Sequence, residues 1–318
     1  MHSRRGLVRR ALLVASALTV VPLLAAWLIA RFVLYPKPKA EDHTLDDFDL
    51  PSEEIGFSSH DGTRLAGWFI PPPGPTPAPG IVLSHGWGRS RAELLPHANF
   101  LHRAGYAVVA FDYRYRGESA GDGVTMGLRE QDDLLGAIDT LCARPEVDAA
   151  RVGVFGMSLG GVVAILVTAR DTRVRALAVE APFATHKAIM TRSIRHYFHL
   201  PSFPVADIAK WVIERRLGEP LDRAEPLHVV RLISPRPLLV IADERDSVIG
   251  HDETERVFQA AGEPKRFWLV PGADHARAWQ TAGDEYERRV LDFYDQALAR
   301  PVPARSSAGR GGTEQAAS

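Results

Sequence analysis

Short, almost wholly apolar runs recur through the middle of the chain, at 81–84, 107–111, 152–155, 176–180, 238–242 and 267–270. Polar alternation is missing from them, as in strands buried on both faces of a parallel sheet. Longer segments of helical periodicity lie between them, near 91–103, 128–143, 158–170, 253–261 and 284–298. Strand, helix and strand in repetition, joined by right-handed crossovers, predict a mostly parallel, doubly wound α/β sheet. Ahead of this region, 54–59 and 64–70 flank His60-Asp61-Gly62-Thr63, whose Asp-Gly pair predicts a hairpin turn. The sheet should therefore open with an antiparallel hairpin. The proline-rich 71–79 should be a surface loop. From 182 to 236 the alternation breaks into two helical patterns, 186–199 and 205–217, separated by Pro201 and Pro204. This segment predicts a small helical cap whose apolar residues, among them Ile189, Met190, Ile194, Phe198 and Trp211, either face a substrate pocket or pack onto the main domain, with packing the favoured expectation.

The amino terminus follows another rule. Residues 11–30 form an uncharged apolar run about as long as a bilayer-spanning helix, with Arg4, Arg5, Arg9 and Arg10 before it. Basic residues are commoner on that side, which predicts a cytoplasmic amino terminus and an extracytoplasmic domain. The expected organisation is a membrane anchor over 1–34, a tether over 35–50, one domain over 51–300 and a disordered tail over 301–318. A cleaved secretory signal or a twin-arginine export signal would use the same segment. The run closes on Trp27, Leu28, Ile29 and Arg31 without a small-residue cleavage site, which favours the anchor. A formal charge of -1 shows none of the basic excess of nucleic-acid-binding proteins and points to a small-molecule ligand. The single cysteine, Cys142, cannot make an intramolecular disulfide and reads as a small buried hydrophobe.

Candidate chemistry begins at Gly156-Met157-Ser158-Leu159-Gly160, a G-x-S-x-G pattern between a predicted strand and a predicted helix. A serine in that sharp turn is held in strained backbone with its hydroxyl clear of the sheet, which suits a nucleophile. The N–H of Leu159 follows it and is a candidate oxyanion donor. A second donor is expected from Trp87, in His85-Gly86-Trp87-Gly88 after the strand at 81–84, with His85 structural. Beyond the strand at 238–242 come Asp243, Glu244 and Asp246; Asp246 is the expected acid, and the other two read as solvated loop charges. Glu180 is a lesser candidate. His275, in the loop after the last strand, is the expected base and completes the order Ser, Asp, His. His186, His196 and His199 approach a metal-ligand spacing, but no carboxylate or thiolate stands near them to complete a set, so no metal is expected.

These motifs together resemble the α/β-hydrolase superfamily: the HGWG loop, Phe111-Asp112-Tyr113-Arg114, the GMSLG turn, and the loops carrying Asp246 and His275. The resemblance covers most of 54–298. More narrowly, the chain is similar to membrane-anchored bacterial members near the serine aminopeptidase-like and monoacylglycerol-lipase-like branch. It implies a cofactor-free serine hydrolase acting on a small acyl substrate at a membrane surface. Tyr115-Arg116 stands where relatives carry a small glycine. An esterase is the first expectation, because 186–199 holds Lys187, Arg192 and Arg195 and no acid to anchor a peptide amino terminus. A serine peptidase and a silent, membrane-tethered binding protein are the alternatives.

Overall fold

The computed structural model describes residue 16 and residues 20–299. Eight strands form one sheet in the order β1-β2-β4-β3-β5-β6-β7-β8. They are β1 (Glu53–Ser58), β2 (Arg64–Ile70), β3 (Ala78–Ser84), β4 (Ala107–Phe111), β5 (Val147–Met157), β6 (Val174–Glu180), β7 (Leu238–Asp243) and β8 (Lys265–Val270). β1 and β2 form the expected hairpin, β2 pairs antiparallel with β4, and every later pairing is parallel. Pro79 lies within β3, not in the preceding loop as expected. A register shift between β3 and β5 falls at that point, so a residue without an N–H can enter the edge of the ladder.

Helices cover both faces. α3 (Glu130–Cys142), α4 (Leu159–Thr168) and α7 (His251–Ala260) bury Leu134, Ile138, Leu141, Val163 and Val257 on one side. α2 (Leu95–Arg103) and α9 (Asp284–Ala297) bury Phe100, Leu101, Val290, Phe293 and Tyr294 on the other. α8 (Ala278–Ala282), a single turn before α9, was not anticipated. Cys142 ends α3, half-buried at the edge of the first cluster.

A third apolar cluster lies above the carboxyl ends of the strands, where ligands bind in open α/β sheets. It joins the cap helices α5 (His186–Phe198) and α6 (Val205–Leu217) to an amino-terminal helix, α1, over 20–34. Ala26, Ile29, Ala30 and Leu34 form the stripe that α1 buries, and Val20, Val21, Leu24, Trp27 and Leu28 are exposed on its outer side. Among the described residues no helix is long and apolar enough to cross a membrane. Residues 1–15 and 17–19 of the expected anchor, and the expected tail over 301–318, lie outside the described residues. Residues 35–50 run along the domain: Pro36 accepts a hydrogen bond from Arg116, Glu41 pairs with Arg89, and Leu50 is buried.

Candidate active site

Ser158 stands between β5 and α4 with φ 54° and ψ -120°, a conformation that non-glycine residues seldom adopt. Its N–H donates to the carbonyl of Glu180 on β6 at 2.8 Å, which helps hold the strained turn. The flanking glycines are steric requirements: a side chain at Gly160 would run into the carbonyls of Ser84 and His85, and one at Gly156 into Gly160.

Ser158 Oγ lies 3.1 Å from His275 Nε2, and His275 Nδ1 lies 2.8 Å from Asp246 Oδ2. The other Asp246 oxygen accepts the N–H groups of Val248 and Ile249 at 2.9 and 2.7 Å. Burial pushes the Asp246 carboxyl up, but the hydrogen bond and charge of His275, with those two N–H groups, outweigh it and hold the group below the usual carboxylate range. Three residues far apart in the chain thus form a hydrogen-bonded series in which the His275 ring stands between the Ser158 hydroxyl and the Asp246 carboxylate.

His85 is buried with both nitrogens engaged. Nε2 accepts the Tyr113 N–H at 3.1 Å, so Nδ1 carries the proton and donates to the Gly86 carbonyl at 2.8 Å. Burial lowers its pKa to about 4, so it stays neutral and shapes the loop. Gly86 approaches so closely that a β-carbon on it would meet Ser158 Cβ at 3.5 Å. Trp87 and Leu159 both line the cavity beside Ser158.

Several functional contacts carried no local signal. Asp243 is fully buried at the end of β7, a correction to its reading as a solvated loop charge; Glu244 is exposed as expected. One Asp243 oxygen accepts the N–H of Ala276 at 2.8 Å, holding that residue at φ 57°, and the other has no hydrogen-bond partner among the described residues. Glu180, also fully buried, accepts Ala278 N–H at 3.2 Å and Tyr286 hydroxyl at 2.5 Å. Two carboxyls therefore clamp the backbone that follows His275. Burial raises Glu180 to about 7 against the hydrogen bonds it accepts, while burial and the neighbouring Glu180 charge raise Asp243 to about 9. Glu93, largely enclosed in the cavity wall, accepts Gly86 N–H at 2.7 Å and Arg89 Nε–H at 3.0 Å. Burial pushes its carboxyl up as well.

Asp243, Asp246 and His275 bring potential metal-ligating atoms within 4.8 Å of one another. Both nitrogens of His275 are already engaged by Ser158 and Asp246, so a cation there would have to displace that series. His186 does not join His196 and His199: its ring is buried against the Met126 carbonyl at 2.8 Å, while the other two are exposed.

The cavity is lined mainly by apolar side chains, among them Phe183, Ile189, Met190, Ile194, Phe198 and Ile213 from the cap side. Ile189, Met190, Ile194 and Phe198 face the cavity, where packing onto the domain was expected; Trp211 is exposed and lines nothing there. Lys187, Arg192 and Arg195 lie outside it, around a separate shallow depression, and pair with Asp207, Asp252 and Ser202. Their charge therefore lies outside the cavity that holds Ser158. The departure at Tyr115-Arg116 is accommodated by φ 62° at Tyr115, and it directs Arg116 onto the carbonyls of Pro36, Gly88 and Arg89.

Residues 61–230 match the family profile of the X-Pro dipeptidyl-peptidase (S15 family). The uncharacterized protein YfhR of Escherichia coli is 30% identical over 274 residues, covering 84% of this chain and 88% of that protein. Among solved structures, the esterase Pf2001 of Pyrococcus furiosus superposes with a TM-score of 0.69 at 24% identity, over 84% of this chain and 98% of its own. The α/β-hydrolase GrgF of a Penicillium species gives 0.64 at 23% identity, over 79% of this chain and 100% of its own. The sheet order, the antiparallel start and the flanking helices are those of an α/β-hydrolase.

Proposed function

The chain belongs to the X-Pro dipeptidyl-peptidase (S15) family of hydrolases, and on that premise we propose that it is a serine hydrolase cleaving carboxylic esters of apolar acyl groups. The observation that carries this reading is the hydrogen-bonded series Ser158–His275–Asp246 opening onto a mostly apolar cavity. In this reading His275 takes the proton from Ser158 Oγ as the oxygen attacks the ester carbonyl. Asp246 orients the ring and stabilises its positive charge. The N–H groups of Leu159 and Trp87 receive the oxyanion. Collapse breaks the ester C–O bond, His275 protonates the departing alkoxide, and an acyl-serine remains. Water, deprotonated by the same ring, then releases the acid and restores Ser158.

The family description favours a peptidase as the second reading. Anchoring a free amino terminus calls for an unengaged acid in the cavity. Glu93 is committed to Gly86 and Arg89, and Asp42 to Arg277 at 2.7 Å, which supports esters over peptides. The reading also keeps residues 1–34 as a membrane anchor, with the domain outside the cytoplasm. Its supports are the uncharged run 11–30 and the exposed apolar side of α1.

The test is labelling of the detergent-solubilised full chain by a fluorophosphonate, with p-nitrophenyl esters of graded length and an Xaa-Pro p-nitroanilide offered in parallel. Wild type should be labelled and turn over esters; Ser158→Ala should lose labelling and about 10⁴-fold or more in kcat. Preferred turnover of the anilide would establish the peptidase, and a folded wild type that is not labelled would leave the silent binding protein.

A further inference from the structure

α1 does more than lead into the domain. Its inner side forms part of the cavity that holds Ser158, through Ile29, Phe32 and Val33. Ile29 is almost completely buried there, in the same cluster as Leu159, Phe183 and Met190. Phe32 bridges two other walls: its ring lies 5.1 Å from that of Trp87 in the loop after β3, and 5.9 and 5.4 Å from Tyr197 and Phe198 at the end of α5.

The carboxyl end of α1 is also stitched down by polar contacts, which a mere leader would not need. The Trp87 indole donates to the Val33 carbonyl at 2.9 Å, and the Val124 N–H donates to the Leu34 carbonyl at 2.9 Å. Arg116 holds the Pro36 carbonyl at 2.9 Å and the Gly88 carbonyl at 3.1 Å, tying the chain beyond α1 to the same loop as Trp87. The opposite side of the helix carries Val20, Val21, Leu24 and Leu28, each about half exposed or more. Beyond the described residues the apolar run continues to Ala11 and ends at Arg9 and Arg10. A helix apolar all round as far as Arg31, with one side on the protein and the other bare, suits an outer medium of hydrocarbon.

We propose that α1 is the acyl-side wall of the active-site cavity, that Ile29 and Phe32 set acyl-chain preference, and that the substrate is a bilayer-resident amphiphilic ester whose chain lies between α1 and α5. The chain reaches Ser158 through the seam of Phe32, Tyr197 and Phe198, beside the outer side of α1. This rests on the serine-hydrolase and membrane-anchor readings and adds the substrate class. In this arrangement the segment that holds the protein at the bilayer also measures the lipid.

Two measurements on the detergent-solubilised full chain test it. First, kcat/KM is compared for p-nitrophenyl dodecanoate and acetate. Ile29→Trp fills the wall and should lower the dodecanoate-to-acetate ratio about tenfold. Phe32→Ala strips the wall without filling the cavity and should lower it roughly fourfold, the worth of about one buried methylene. Second, wild type is labelled with a dodecyl fluorophosphonate bearing a terminal diazirine, irradiated and mapped by mass spectrometry; crosslinks should fall on residues 29–33. The second measurement needs no variant, so misfolding of Ile29→Trp leaves the proposal exposed. Labelling of Ser158 with crosslinks confined to α6, or ratios unmoved in both variants, would overturn the wall while sparing the hydrolase. Absence of labelling in wild type would remove the hydrolase reading itself.

Discussion

At the scale of single residues, the least expected chemistry is the pair of carboxyls behind His275. Glu180 and Asp243 are raised to about 7 and about 9, so the fold favours their neutral forms. The sign follows from linkage: the folded protein holds protons that the unfolded chain gives up at ordinary carboxylate pKa values. This contribution is complete below those values and is lost as pH climbs toward 9. Asp243→Asn keeps an oxygen for Ala276 N–H and removes the ionisation. In thermal denaturation, wild type should lose stability between pH 6 and pH 9, and the variant should lose less, by on the order of 1–2 kcal/mol. An equal or steeper loss in the variant would show that Asp243 ionises freely. Asp246 and Asp243 are three residues apart in one loop sequence, and position after a strand sufficed to select Asp246 as a candidate. Nothing in that sequence distinguished a buried Asp243 from a solvated one, because burial depends on β6 pairing beside β7 and on the backbone after His275 reaching its carboxyl.

At the scale of elements, the turn from β5 into α4 is the best-specified feature of the chain. Gly160 passes under the loop after β3, and Ser84 Oγ donates to its carbonyl at 2.9 Å. A methyl at Gly160 meets backbone on both Ser84 and His85, and neither can yield without moving the strand that carries the Trp87 loop. Gly160→Ala should therefore cost roughly 1–3 kcal/mol in denaturant unfolding and reduce the rate of fluorophosphonate labelling. Unchanged stability with a normal labelling rate would mean the loop is more compliant than its packing implies. Helix and strand positions followed from periodicity, and the hairpin from Asp-Gly. The start of β3 did not, since Pro79 argues against a strand until the register shift opposite it is seen. The direction faced by the cap helices was not legible either: an apolar stripe on α5 serves a cavity as well as a core.

At the scale of the molecule, α1 carries bare apolar residues on one side and cavity-lining residues on the other. With Val20, Val21, Leu24 and Leu28 bare and Ile29, Phe32 and Val33 lining the cavity, the full chain should float with phosphatidylcholine vesicles in a density gradient. Leu24→Glu combined with Leu28→Glu should reduce the floated fraction severalfold, since each replaces an exposed apolar side chain with a charge that hydrocarbon does not solvate. Flotation indifferent to both changes would locate lipid contact elsewhere.

Local pattern alone determined the α/β architecture, the antiparallel start, the serine turn and the candidate series of Ser158, Asp246 and His275. Strand burial, turn geometry and the order of catalytic loops are written in residue type and spacing along the chain. Tertiary structure alone decided that Asp243 and Glu180 clamp the histidine loop, that the cap's basic residues turn away from the cavity, and that α1 walls the site. Each of these depends on which surfaces meet across large separations in sequence. An apolar helix looks the same in sequence whether a bilayer, a core or a substrate cavity receives its buried side.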